Sequence, residues 1–253
     1  MSATAIHAKH RARLQQRQNW LWRGILILSL CTGGWLIRDL EWGALWPSAG
    51  FIAKGLGASI LLSVLSIGLG FLVAIPMAAA RAYGARPLKS IAVACIESIR
   101  CTPELMVIFW VYFGVPRITG NPVDGWFAAI FSMTLVAAAY MAEIIRAGLK
   151  SVNIGQWEAG RATGLRDIQI FSRIILPQAL KNMLMALLSQ SVMLFKTTSL
   201  VYIVGVIEFF RAMQIVNNRV YAPFATYALL AIVYFICCWL ITRLEGLIKQ
   251  HRQ

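Results

Sequence analysis

The chain contains 253 residues, of which 59% are hydrophobic and 13% are charged. This composition leaves too little polar surface to cover the folded chain in water, so it excludes a soluble globular protein and predicts an all-α, polytopic membrane protein. The net charge of +14 does not indicate nucleic-acid binding, because the basic residues are concentrated in alternate loops. No nucleic-acid partner is expected.

Six apolar segments have the length of membrane-spanning helices. The first contains Arg23 and is followed by Arg38, so its charged ends must snorkel towards the membrane surfaces. The predicted spans are 20–37, 55–80, 90–115, 126–142, 178–204 and 223–241. They divide the chain into a basic tail, first helix and outer loop (1–49), a five-helix transmembrane unit (50–245) and a second tail (246–253).

The distribution of charge predicts the orientation of these spans. The N-terminal tail, the loop 81–89 and the region 146–181 are rich in lysine and arginine, whereas the other loops are nearly neutral. Because positively charged loops remain on the cytoplasmic side, both chain termini and the region 146–181 are expected to face the cytoplasm.

The second span carries a stripe of small residues on one helix face. Ser59, Ser63, Ser66 and Gly70 follow one another at steps of four, three and four. Such stripes allow close helix packing in lipid, and they also line translocation paths. Both interpretations are open from the sequence.

Ionisable residues within the spans are costly and therefore indicate function or specific pairing. Glu97, Arg100 and Glu104 fall at i, i+3 and i+7 of the third predicted span, where one helix face could hold a compensating triad. Glu143 and Arg146 are spaced i, i+3 at the end of the fourth span. We interpret these five residues as a gate or as a structural ion cluster.

A polar segment, 153–177, separates the fourth and fifth spans and predicts a cytoplasmic helix-turn-helix. Asn153 can cap a helix that runs to Thr163, and Gly164 can provide the left-handed residue that ends it. Asp167 can cap a second helix, which Pro177 is expected to close. The second helix is predicted to bury an apolar face formed by Ile168, Phe171 and Ile175.

The first helix of this loop has a face of small residues, which permits close approach of a partner. These residues are Ala159, Gly160, Ala162 and Gly164.

The fifth span carries Lys196, about 28 Å along the helix from Pro177. No acidic residue lies within one helical turn of it in the sequence. Together with Thr197, Thr198 and Ser199, this lysine is a candidate for contact with a substrate, unless it snorkels to the outer surface.

Phosphate-binding loops, zinc-ligand spacings and nucleophile elbows are all missing from the sequence, so no enzyme activity, metal site or bound cofactor is predicted. If transport is active, another subunit must supply the energy. The alternative function is an ion-coupled secondary transporter or channel that uses Glu97, Glu104, Glu143 and Lys196 as coupling groups.

The segment EAGRATGLRDIQIFSRIILP resembles the EAA loop of bacterial ABC importer permeases. Gly160 stands where that pattern usually has alanine. The residues in register with the pattern are Glu158, Ala159, Gly164, Ile174, Leu176 and Pro177.

The flanking segments resemble the polar amino acid permeases, and the glutamate/aspartate permeases in particular. They include AAYMAEIIRAGLKSV before the loop, KTTSL in the fifth span, and SLVYIVGVIEFFR after it. Three further positions differ from the family: Thr197 replaces a frequent aspartate, Cys101 replaces a glycine, and Glu104 replaces an apolar residue. Without that aspartate, acidic or neutral amino acids are the expected cargo.

The resemblance implies a bacterial inner-membrane permease, paired with a second permease of the same or a homologous chain. It further implies two ATPase subunits that bind ATP and magnesium, and a periplasmic amino acid binding protein. In this arrangement, the loop 153–177 transmits ATP-driven closure to the membrane spans.

Overall fold

The computed structural model describes residues 41–250 of the chain. The predicted first span and its basic tail lie outside the described residues. Between residues 41 and 250, every regular element is helical, which confirms the predicted all-α class.

Two short 3₁₀ turns, Trp42–Ala44 and Trp46–Ser48, precede the helices. The chain also contains two π-helical turns, Trp110–Gly114 and Phe171–Ile175, and a longer 3₁₀ segment, Thr198–Val204. The helices are α1 (Ala49–Tyr83), α2 (Arg86–Arg100), α3 (Glu104–Phe109), α4 (Val115–Thr119), α5 (Gly125–Lys150), α6 (Gly155–Ala162), α7 (Asp167–Ile170), α8 (Leu176–Thr197), α9 (Phe209–Val220) and α10 (Pro223–Gln250).

Four helical stretches in the described residues are long and apolar enough to cross a membrane. They are Trp42–Tyr83, Gly125–Lys150, Asp167–Val204 and Pro223–Arg243. These stretches contain the predicted second, fourth, fifth and sixth spans. The predicted third span, 90–115, is not one continuous helix. It breaks between Arg100 and Glu104, because Pro103 disfavours helical conformation at the preceding residue. The predicted count of six spans is therefore not confirmed.

The core is centred on the packing of α1 against α5, and the stripe of small residues on α1 lies within it. Ser59 and Ser66 are completely buried, and Ser63 is nearly so. A Cβ atom placed on Gly70 would lie 2.4 Å from Cβ of Ala137 on α5. The stripe therefore serves helix packing along this face.

Gly70→Val is expected to destabilise the fold by about 1–3 kcal/mol, because the added side chain must push α5 away from α1. Gly68→Val is the matched control, since a Cβ at Gly68 meets no atom within 4 Å. The measurement is the thermal midpoint of each variant after extraction into detergent. Equal losses in the two variants would contradict the packing role of Gly70.

Candidate functional site

The first arm of the loop 153–177 forms as the sequence predicts. Oδ1 of Asn153 accepts a hydrogen bond from the backbone N–H of Gly155 at 2.8 Å, at the start of α6. After α6 ends at Ala162, Gly164 turns the chain with a φ of +77°. The N–H of Leu165 then donates to the carbonyl of Gly160 at 3.2 Å, which closes the helix end.

The predicted cap of the second arm is wrong. The backbone N–H of Arg166, at the start of α7, donates a hydrogen bond to Oε1 of Gln169 at 3.0 Å. The side chain of Asp167 does not cap this helix. Asp167 instead pairs with Arg161 across the turn, with 3.1 Å between Oδ1 and Nε. Because both groups of this pair are exposed, it orients the two arms while stabilising the loop by less than about 1 kcal/mol.

The predicted closure at Pro177 is also wrong, because the helical run continues from Asp167 to Val204. The π turn Phe171–Ile175 immediately precedes the proline. Proline lacks a backbone N–H, and its ring crowds the carbonyl groups of the preceding turn. The wider hydrogen-bonded ring of a π turn leaves room for Pro177. The loop is therefore joined to the span α8 without a flexible link.

The apolar face of the second arm differs from the prediction in one position. Ile170 and Ile175 are completely buried, whereas Ile168 is 70% exposed. Gly160 is buried against Ile170, and a Cβ on this glycine would lie 2.8 Å from Cγ1 of that isoleucine. The smallness of Gly160 therefore serves the contact between the two arms of the loop.

The outward surface of the loop presents both apolar and charged groups. Ile154 and Ile168 are largely exposed, as are Glu158 and Ala159. Ile174 and Leu176 are half-buried where the loop meets α8. A rigid helical knob with an exposed apolar and acidic surface can dock in a complementary groove of another protein.

Four of the five predicted ion-cluster residues lie together near the C-terminal ends of α2 and α5. Glu97 on α2 pairs with Arg100 at 3.5 Å. On α5, Arg146 donates to Glu143 with 2.8 Å between Nε and Oε2.

Arg81 connects these two pairs, and the sequence reasoning missed it. Its Nη2 lies 2.8 Å from Oε1 of Glu97, and its Nε lies 3.3 Å from Oε2 of Glu143. The residue was assigned to a loop because the span was expected to end at residue 80, whereas α1 continues past Pro76 to Tyr83. The cluster therefore ties α1, α2 and α5 together.

Glu104 does not join this cluster, so the predicted triad is wrong. The break before α3 turns it away from Arg100, and its Oε2 accepts a hydrogen bond from Oγ1 of Thr197 at 2.9 Å. A carboxylate thus lies beside position 197 although the chain carries threonine there. The expectation of an acidic or neutral cargo rested on the loss of the family's aspartate at position 197. That reasoning is weakened, because Glu104 supplies an acidic group beside this position.

The four candidate substrate-path residues point in different directions. Lys196 is exposed and, with Ser199, lines a cavity of about 300 Å³ facing α10. Thr197 is buried and faces Glu104, whereas the buried Thr198 donates to the carbonyl of Phe195 at 2.8 Å. Lys196 forms no ion pair among residues 41–243.

Glu208 is a second residue that the sequence reasoning missed. Its side chain is completely buried, and its carboxylate accepts hydrogen bonds from the N–H groups of Phe210 and Arg211, each at 2.8 Å. Oγ of Ser59 on α1 also donates to it, at 3.2 Å. Burial raises the pKa of Glu208. The available signal was an acidic residue directly before an amphipathic segment, which is typical of a helix cap.

No cluster of metal-ligating side chains occurs in the part of the chain that the structure describes.

Apolar spans that continue without a flexible link into an exposed helical loop are typical of a membrane transport component. Residues 66–251 match the family described as the binding-protein-dependent transport system inner membrane component. The chain belongs to this family, which confirms the resemblance to importer permeases.

Individual relatives cover most of the chain. It is 31% identical over 205 residues to a glutamate/aspartate import permease of Escherichia coli O6:H1, covering 78% of this chain and 92% of the relative. It is 28% identical to an arginine transport system permease of Bacillus subtilis, covering 81% and 93%. A crystal structure of an amino acid ABC transporter with histidines matches with a TM-score of 0.79 at 28% identity, covering 84% of this chain and 99% of that one.

Proposed function

We propose that the chain is the permease subunit of an ATP-driven amino acid importer in the bacterial inner membrane. Two separate ATPase subunits, which bind ATP and magnesium, would dock on the loop 153–177 of this chain and of a second permease. A periplasmic binding protein would deliver the amino acid. The observation that carries the proposal is the exposed helix α6, which is joined through Gly164 and a continuous helix to the span α8.

The same geometry disfavours an ion-coupled secondary transporter or channel. Glu97 and Glu143 are engaged by arginines, and Glu104 by Thr197, so none of the three is an open ion-coupling group in the described arrangement. A self-sufficient carrier would also have no use for a rigid cytoplasmic knob.

We infer that glutamate or aspartate is the cargo. The similarity to a glutamate/aspartate permease supports this proposal. Lys196, without an acidic partner among the described residues, is a suitable group for a side-chain carboxylate. One observation favours a second candidate, a cationic amino acid: the carboxylate of Glu104 lies beside Thr197.

Uptake of labelled glutamate into vesicles that carry the whole complex distinguishes the two candidates. Excess unlabelled glutamate or aspartate is expected to inhibit uptake, and arginine is expected to have little effect, because an unpaired Lys196 repels a second cation. Lys196→Ala is expected to reduce uptake at least tenfold, and Glu104→Gln much less. Absence of glutamate uptake, together with uptake of labelled arginine that is sensitive to Glu104→Gln, would transfer the assignment to cationic amino acids.

The proposed orientation places both termini and the loop 153–177 in the cytoplasm. Single cysteines at residues 10, 85, 159 and 250 are expected to resist a membrane-impermeant thiol reagent added to intact cells. Cysteines at the exposed residues 43, 120 and 218 are expected to react, because they lie in the nearly neutral outer loops. Labelling of residue 159, which is exposed on α6, from outside would refute both the orientation and ATPase docking.

A further inference from the structure

A cavity of about 520 Å³ lies where the loop 153–177 meets the membrane spans. It is formed by the ends of α1 and α5, the start of α8 and the two arms of the loop. This volume is within the range of pockets that hold small organic molecules. Asp167 is the only charged residue among the described residues that line the cavity, so its walls suit an apolar ligand.

The wall formed by α1 continues a row of exposed apolar side chains along that helix. The row has steps of three or four residues and consists of Leu65, Leu69, Leu72, Ile75, Ala79 and Tyr83. On a membrane span, such a row of large apolar side chains is the surface expected against lipid. Its last three members line the cavity. The cavity is therefore open towards lipid, and the small side chain of Ala79 provides part of its space.

The depth of the cavity corresponds to the edge of one leaflet. From Ile75 to Tyr83 the wall extends about 12 Å at 1.5 Å per residue, which is less than half of a hydrocarbon core about 30 Å thick. Tyr83 and Trp157 also belong to the lining. The amphipathic rings of these two residue types are enriched at the level of lipid headgroups.

The wall opposite α1 belongs to the second arm of the loop. Ile168 and Phe171 line it, and Ile168 is 70% exposed although its neighbours in the sequence are polar. The two arms pack on each other and on α8, but little on α1. A gap with apolar walls therefore remains between the loop and α1, and an apolar ligand there would remove both walls from water.

The charges beside the cavity favour an anionic headgroup. The carboxylate of Asp167 is held by Arg161, with 3.1 Å between Oδ1 and Nε. The adjacent Arg166 is exposed and forms no ion pair among residues 41–243. Two arginines and one aspartate leave one positive charge in excess. Arginine binds phosphate through charge-assisted hydrogen bonds, and basic groups at the membrane surface attract anionic lipids.

We propose that an anionic phospholipid of the surrounding bilayer occupies this cavity. One acyl chain lies between Ala79 on α1 and Ile168 on the loop, and the phosphate lies beside Arg166. The bound lipid fills the gap between the loop and α1. This assignment depends neither on the amino acid that is transported nor on docking of an ATPase.

Photo-crosslinking in vesicles tests the assignment. The full-length permease is reconstituted, with and without its co-purifying proteins, into phosphatidylcholine that contains a phosphatidylglycerol probe with a diazirine in one acyl chain. After illumination, mass spectrometry is expected to find the cross-links concentrated in residues 75–83 and 145–149. Ala79→Trp, which fills the cavity, is expected to reduce this labelling at least fivefold. Val73→Trp is the matched control and should leave it unchanged, because Val73 is exposed on α1 but does not line the cavity.

A second pair of variants tests the headgroup. Arg166→Gln is expected to reduce labelling of the cavity by the phosphatidylglycerol probe at least fivefold. Arg173→Gln should have little effect, because Arg173 is an exposed arginine of the same loop that does not line the cavity. Equal labelling by a phosphatidylcholine probe with the same diazirine would overturn the anionic assignment.

Two further outcomes would overturn the proposal as a whole. Uniform labelling along the exposed row of α1, unchanged in Ala79→Trp, would show only the general contact of a span with lipid. Labelling of the cavity that occurs only without the co-purifying proteins would assign it to a protein partner.

Discussion

Glu158→Lys and Gly164→Val are each expected to reduce substrate uptake at least tenfold, while the permease remains in the membrane. Glu158 is exposed on α6 and forms no ion pair among the described residues, so reversal of its charge acts on a docked partner and not on the fold. Gly164 has a φ of +77°, and a Cβ added there would meet no atom within 4 Å. A β-branched residue there acts through the backbone alone, at a cost of roughly 1–2 kcal/mol, by displacing the two arms of the loop.

Two controls separate coupling from general damage. Ser90→Lys adds a positive charge at an exposed site near the start of α2, outside the loop, and should leave uptake unchanged. Gly164→Asn should retain most of the uptake, because asparagine tolerates the left-handed conformation. The measurements are substrate uptake in vesicles and co-purification of the ATPase subunits. Survival of both in the two test variants would refute the role of the loop in coupling.

The parts of the site that the sequence predicted correctly depend on local chemistry. Asn153 caps α6 and Gly164 ends it because each acts on backbone groups only a few residues away. The long apolar spans were predictable for the same reason, since the length and hydropathy of a segment do not depend on its neighbours.

The errors arise where distant segments determine the outcome. The contact between Glu104 and Thr197 joins residues 93 positions apart, and it depends on a helix break whose direction no spacing rule provides. Arg81 lies in a helix that faces Glu143 because α1 continues to Tyr83, beyond residue 80, where the span was expected to end. Pro177 was expected to end a helix, but a π turn absorbs its missing N–H.

The buried carboxylate of Glu208 gives the second large expected effect. Glu208→Ala should lower the stability of the permease by about 2–5 kcal/mol, because it leaves two backbone N–H groups and a serine hydroxyl without an acceptor in a buried site. The same change should loosen α9 from α1, where a Cβ on Gly55 would lie 2.6 Å from Cβ of Ala212. The measurement is the free energy or thermal midpoint of unfolding in detergent.

Asp124→Ala is the matched control for this substitution. Asp124 caps α5 in the same way, accepting from the N–H groups of Trp126 at 2.9 Å and Phe127 at 3.1 Å, but its side chain is exposed. Water can replace the lost acceptor there, so the expected cost is only about 1 kcal/mol. Equal losses in the two variants would show that burial of the Glu208 carboxylate does not determine the effect.

The pH dependence of stability provides an independent test of the same group. Burial raises the pKa of Glu208 above its ordinary value of 4.5, so the folded state holds this proton more tightly than the unfolded state. The resulting stabilisation is fully present below the ordinary pKa and is lost as the pH rises through the folded pKa. Wild-type permease should therefore lose stability with rising pH in this window relative to Glu208→Gln, which has no proton to release. A constant difference between the two proteins from pH 4 to pH 8 would refute the raised pKa and leave only the capping role of Glu208.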